Sequence, residues 1–292
     1  MDFEAHQREM NEIMDALEKA VLAGDQSQVE ALFARQEALT REIMGYDVFE
    51  PDQLKPEYAA LREAIDSGEL DTIRDALTPD LDLNQPQGKY DSVPLFWALT
   101  AEGRSPDVVR LLLDHGADAA HTTSEGYTPL HYIPDANFID ASVKAPYEIA
   151  KLLVDAGADI EATQHWGWTP LMRAITEGVA VELEALLLAG ANPDVIFPPH
   201  TQPEFQRGMT TLMAAGQDTV KVRLLLDHGA DPRFRGAHET PLRFFKRNSD
   251  ETAARLASLE STAEDTPFDH DYANGYAASL SLIQVALQGG AR

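Results

Sequence analysis

Leu152-Leu153-Val154-Asp155-Ala156-Gly157-Ala158-Asp159, followed by Thr169-Pro170-Leu171, decides how this chain folds, because both phrases recur along it. The first returns as Leu111-Leu112-Leu113-Asp114-His115-Gly116-Ala117-Asp118, as Leu186-Leu187-Leu188-Ala189-Gly190-Ala191-Asn192 and as Leu224-Leu225-Leu226-Asp227-His228-Gly229-Ala230-Asp231. The second returns as Val93-Pro94-Leu95, Thr128-Pro129-Leu130, Thr210-Thr211-Leu212 and Thr240-Pro241-Leu242. Self-similarity of this kind marks a stack of like units, each too small to bury its own apolar face.

Each phrase has a physical task. Thr-Pro-Leu opens a short helix: the threonine can accept from free backbone N–H groups, proline suits the first turn, and leucine begins the buried stripe. The other phrase closes a longer helix, with Val108, Val109, Leu112 and Leu113 at helical spacing. Gly116 and its equivalents supply the left-handed residue that ends it. A helical pair lies between the phrases, and an extended loop follows each Gly-Ala-Asp.

These residues resemble the ankyrin-repeat family. Gly116 to Leu130 and Gly157 to Leu171 are each 14 residues, the family's spacing, and Gly126 and Gly167 stand two residues before Thr-Pro-Leu, where the family has its turn glycine. The resemblance implies an all-α solenoid of helix pairs with projecting β-hairpin fingers over residues 58–260, about five to six repeats. Residues 1–46 read as an N-terminal helical cap or worn repeat (Ile13, Leu17, Val21, then Val29, Leu32, Phe33), 47–57 as a linker, and 261–292 as a C-terminal capping helix. Within 58–84, Tyr58, Leu61, Ile65 and Ile73 make a degenerate first repeat. Thr252 to Leu259 is expected to complete the last helix pair, ahead of a capping helix over Tyr272 to Leu287.

Two insertions depart from the repeat. One, between the paired helices, includes Pro134 to Val143; the other lengthens a finger, since 22 residues rather than 14 separate Gly190 from Leu212. Insertions in solenoids fall in loops, often on the binding side.

Composition narrows the function. With 23 Lys plus Arg against 49 Asp plus Glu, the formal charge is −26, which opposes nucleic acid and anionic membranes and attracts a basic partner. There are no cysteines, so disulfides and thiolate chemistry are excluded. The acidic start is unlike a secretory signal, no apolar run is long enough to span a membrane, and a cytoplasmic location is the default expectation. No phosphate-binding glycine loop, His-Glu-x-x-His or Gly-x-Ser-x-Gly occurs. His115 and His228 occupy equivalent structural positions, His131 follows Thr-Pro-Leu where the family's histidine braces neighbouring loops, and Asp269-His270-Asp271 lies in a polar stretch before the last helix. No catalytic residue, metal ligand or cofactor is expected.

A protein partner is the expectation instead. The resemblance places contacts on the finger tips and on the concave side made by the first helices. In residues 122–127 these are Glu125 and Tyr127; in residues 163–168 they are His165, Trp166 and Trp168. Arg173 and Glu177 add the concave side, and Phe197 and Phe205 the lengthened finger at 193–209. Trp166, just before the turn glycine, is expected to face solvent, and tryptophan is enriched among binding hot spots. Trp168 and Tyr127 hold a slot that also suits packing between fingers. A basic, aromatic stretch over 233–247 is read as charge balancing or a protein contact, with Phe244 or Phe245 in the core. An inhibitor, such as an immunity protein occluding a bacterial toxin, is one form of this reading. The alternative is an enzyme or ligand-binding protein with its site in the non-repeat ends.

Overall fold

Proline and glycine punctuate the chain at each repeat, and helices form between them. A computed structural model describes residues 54–88, 92–101, 104–135, 143–201, 204–262 and 267–289, together with isolated helical positions 13, 16, 19, 28, 29, 31, 32 and 35. The chain divides into two compact units, Met1–Gln53 and Leu54–Arg292. In the first, Ile13 is buried, and most of the expected N-terminal cap and residues 47–53 of the linker lie outside the described residues. The last two linker residues, Pro56 and Glu57, already belong to a helix.

The second unit is built of helix pairs: α1 (Pro56–Ser67) with α2 (Leu70–Ala76), and α3 (Pro94–Thr100) with α4 (Pro106–Asp114). A 3-10 helix (Pro129–Asp135) then pairs with α5 (Lys144–Asp155), α6 (Pro170–Thr176) with α7 (Ala180–Leu188), α8 (Thr211–Ala215) with α9 (Thr219–Asp227), and α10 (Pro241–Thr262) with α11 (Pro267–Gly289). First helices pack on first helices and second on second, giving two rows along the stack. Between the rows runs one core in which Leu95, Leu112, Leu130, Leu153, Leu171, Leu186, Leu212, Leu225, Phe245 and Ile283 are all buried. Each such side chain contributes roughly 1.5–3 kcal/mol of burial.

The expected start and stop signals act as physical caps. The Thr169 and Thr210 hydroxyls accept from the N–H groups of Met172 and Met213, both at 3.3 Å. At the other end Gly157 adopts φ +101°, and the Ala158 N–H then reaches back to the Leu153 carbonyl at 2.9 Å; Ala117, Ala191 and Ala230 repeat that bond.

Three elements differ from expectation. Pro134 lies inside the first helix of its repeat and has no N–H to give, so that element is 3-10 rather than α. Thr252 to Leu259 does not form a separate second helix, because no glycine or proline interrupts the chain after Leu242 as Gly178 and Gly216 do earlier, and α10 runs on for 22 residues. Its partner in the second row is α11, packed on α9, and Asp269-His270-Asp271 falls inside α11 rather than ahead of it. Among the described residues the fingers form no sheet: their strand character is limited to the bridges Gln87–Ser92 and Ile196–Thr210. No described helix is long and apolar enough to cross a membrane.

Candidate functional site: the finger row

The fingers at 122–127 and 163–168 each turn at a glycine held by two short backbone bonds. In the 122–127 finger the Gly126 N–H donates to Thr123 and the Thr123 N–H to the Tyr127 carbonyl; in the next, Gly167 donates to Gln164 and Gln164 to Trp168. The fingers are joined sideways, because the His165 N–H donates to the Glu125 carbonyl at 2.9 Å. Gly208 of the lengthened finger stands two residues before its threonine, as Gly126 and Gly167 do, so the residues before these three glycines share one register position. Those residues are Glu125, Trp166 and Arg207, an acid, an aromatic and a base in succession.

Glu125 and His165 are exposed, and Tyr127 is half-buried. Trp166 is half-buried rather than free in solvent: its ring lies 4.5 Å from that of His165 and 6.0 Å from that of Trp168. A small aromatic cluster beneath the tip explains this. It consists of Trp168, Met172 and Phe197, with Trp166 and Val195 packed against it.

Trp168 and Phe197, expected as contacts, are 2% and 0% exposed, so neither offers surface to a partner. Their rings meet edge-on at 5.9 Å, and the indole N–H of Trp168 donates to the Thr201 hydroxyl at 3.2 Å. The lengthened finger thus wraps over Trp168. On its other side it approaches the next finger so closely that a Cβ at Gly208 would lie 2.5 Å from the Ala237 Cβ. Glu204 to Gln206 close the insertion as a 3-10 turn, and the Gln206 amide donates to Thr176 at 3.1 Å. The side chain of Phe205 lies outside the described residues.

Arg173 is likewise mainly internal, at 13% exposure. Its guanidinium lies 5.2 Å from the Tyr127 ring centre and 5.9 Å from that of Tyr132, donates to the His131 carbonyl, and pairs with Glu177 at 2.8 Å. Glu177 remains exposed beside it. Both Phe244 and Phe245 are buried, while Arg247 pairs with Glu239 at 2.7 Å and lies over the Phe244 ring.

His131 is fully buried, with both ring nitrogens committed. The Thr128 N–H donates to Nδ1 at 3.1 Å, so Nδ1 is the acceptor and Nε2 carries the hydrogen, which is 2.9 Å from the Trp168 carbonyl. Burial, aided by the charge of Arg173, lowers its pKa to about 4 against the opposing pull of that carbonyl. Among the described residues no group of three His, Asp or Glu is placed to hold a metal ion.

One polar arrangement went unanticipated, although aligning the repeats locates it. Counting eight residues back from Gly116, Gly157, Gly190 and Gly229 gives Val108, Ile149, Glu182 and Lys221. The first two are apolar core, while Glu182 and Lys221 are buried charges in adjacent repeats. Lys221 Nζ donates to the carbonyls of Ile175 and Gly178, both at 2.8 Å, and of Ala174 at 3.3 Å, closing the C-terminal end of α6. Burial lowers its pKa, while Asp218 and Glu182 raise it.

The match to a family model agrees with this architecture. Residues 138–236 match the family model for ankyrin repeats, in 3 copies. The chain is 32% identical over 128 residues to palmitoyltransferase ZDHHC13 of Homo sapiens and of Pongo abelii, and 30% identical over 128 residues to that of Mus musculus. The match takes in 42% of this chain and 20% of each relative, so the chain spans about a fifth of the length of these curated relatives. Among solved structures it is similar to the ankyrin repeat domain of Bcl-3, a member of the IkappaB protein family, with 22% identity, a TM-score of 0.49, and coverage of 74% of this chain and 89% of that one. The helix rows, the capped repeat phrases and the family model define a repeat solenoid of the protein-interaction class. Residues 138–236 of the chain are ankyrin repeats.

Proposed function

We propose that the chain is a non-catalytic scaffold that binds a basic protein through its finger tips and the adjoining first-helix face. The observation that carries this is the braced tip row, in which Glu125, His165 and Trp166 are offered on turns bonded to one another. A surface held in place loses little entropy on binding, so its contacts count more fully toward affinity. Glu177 extends the row onto the first-helix face, and Trp166 supplies apolar contact area. The −26 formal charge steers a basic partner toward the chain. In its sharpest form the scaffold is an inhibitor, an acidic body that occludes the active site of a basic enzyme such as a bacterial toxin.

The test compares three immobilised baits in native lysate: the unaltered chain, Trp166→Ala with Glu125→Lys, and Arg110→Ala on the exposed side of α4. A partner kept by the first and third and lost by the second supports the fingertip site. Its association rate should fall as salt rises, since exposed charges are screened beyond about 8 Å at physiological ionic strength. Retention by all three baits would move the interface away from the fingers.

A further inference from the structure

The angle between the fourth and fifth fingers and the first-helix row holds a cavity of about 170 Å³, too small for the roughly 300–1,000 Å³ typical of cofactor and small-molecule sites but open to a single side chain. Met209, Met213 and Phe244 give it an apolar lining. Arg207 and Arg247 stand at its rim, with Glu239 as the acid lining it. The lengthened finger creates this wall, since Arg207 occupies the register position that Glu125 and Trp166 hold in earlier repeats. We infer that this cavity is a docking pocket for a segment of a partner protein in which a large apolar side chain is flanked by carboxylates.

The charge argues for that occupant. Residues 233–247 carry Arg233, Arg235, Arg243, Lys246 and Arg247 against Glu239 alone, a basic stretch in an acidic chain. The rim arginines are held by exchangeable partners: Arg207 pairs with Glu204 at 3.1 Å, and Arg247 with Glu239 at 2.7 Å and with Glu251 at 3.7 Å. Such surface pairs contribute little net stability, so an incoming carboxylate can take over a guanidinium fork. The flexible, polarizable methionines adapt to an aromatic or branched side chain. A basic segment would meet two guanidinium groups at the entrance and be repelled. The inference rests on the scaffold reading only in taking the occupant to be a protein segment.

The experiment uses the full chain labelled with 13C at its methionine methyl groups. The probe is a short synthetic peptide with one phenylalanine flanked by aspartates, beside controls with asparagine for aspartate and with alanine for phenylalanine. The expected result is saturable shifts of Met209 and Met213 but not of Met172, and about tenfold or greater weakening with either control peptide. Arg207→Gln with Arg247→Gln should weaken binding similarly, with the methyl spectrum confirming that the chain stays folded, and Arg235→Gln should not. Equal shifts from the asparagine peptide, equal loss in Arg235→Gln, the same response to inorganic phosphate alone, or no shift at all would each overturn the pocket. So would self-association abolished by the rim variants without peptide binding, which assigns the pocket to a second copy. Trp166→Ala leaves these shifts in place whether or not the finger row binds, which separates failure of one reading from failure of the other.

Discussion

His131 Nε2 lies 2.9 Å from the carbonyl oxygen of Trp168, 37 residues further on, and donates its hydrogen to it. One imidazole therefore fastens the start of one repeat to the base of the next finger; protonation leaves that bond in place but breaks the one Nδ1 accepts from the Thr128 N–H.

The consequence is a defined acid sensitivity. The folded pKa of about 4 lies below the ordinary histidine value of 6.5, so the unfolded chain binds the proton more readily between those values. Stability from this group is full above about pH 6.5 and is lost as pH falls toward 4, by about 3 kcal/mol. Glu161 and Asp194 act oppositely, since burial raises their pKa values and protonation in the carboxylate range relieves that cost. Urea unfolding of the native chain and of His131→Gln across pH 7 to 4 isolates the histidine: the variant starts less stable and loses the histidine's share of the pH dependence. Parallel curves would refute the assignment.

Lys221 and Glu182 stand where Val108 and Ile149 stand in earlier repeats, so an apolar pair should be accepted there. Lys221→Val alone should cost about 3–5 kcal/mol, because it strips the carbonyls ending α6 of their donor and leaves Glu182 buried without that charge. Combining it with Glu182→Ile should recover part of the loss. A double-mutant cycle by urea denaturation reads the coupling, and strict additivity would show that the two charges act independently.

Outside the core, consecutive repeats are joined by side-chain rungs. Asn84 accepts from the Asp118 N–H at 2.8 Å, Glu161 from the Asn192 N–H at 2.7 Å, and Asp194 from the Asp231 N–H at 3.0 Å. Ala120 holds the corresponding place between the first and second of these rungs and offers no side-chain acceptor. Ala120→Asn should raise stability by about 0.5–1.5 kcal/mol, visible as an increased melting temperature. A neutral or lowered value would mean that the Asp159 N–H is not within its reach.

Phe197→Ala removes a fully buried ring from against Trp168. Such truncations cost about 3–5 kcal/mol, and water reaching Trp168 should shift tryptophan emission to the red. The variant should also weaken partner capture although Phe197 touches no solvent, because the lengthened finger would lose its anchor. Unchanged emission would mean that Pro198, against Gly167, and Thr201 suffice to hold it.

The repeat and most of its helix boundaries were legible because they rest on local rules: capping threonines, left-handed glycines and apolar spacing; the brace role of His131 was expected from the family resemblance. The site was legible only in part. Tip positions follow from turn register, so Glu125, His165 and Trp166 could be placed from spacing. Burial of Trp168, Phe197 and Arg173 could not, because it depends on an insertion folding back across the neighbouring finger and on a guanidinium lodged among rings of another repeat.

The sequence by itself determined that this chain is a stack of paired helices with a strongly acidic surface, since each repeat writes its own start, stripe and stop within a few turns. Only the tertiary structure decided that α10 runs unbroken against α11, that Lys221 ends another repeat's helix, and that the long finger is a packed wall. These features lie between residues some 20 to 50 positions apart, where the outcome is set by which neighbour fills the remaining space and accepts the remaining hydrogen bond.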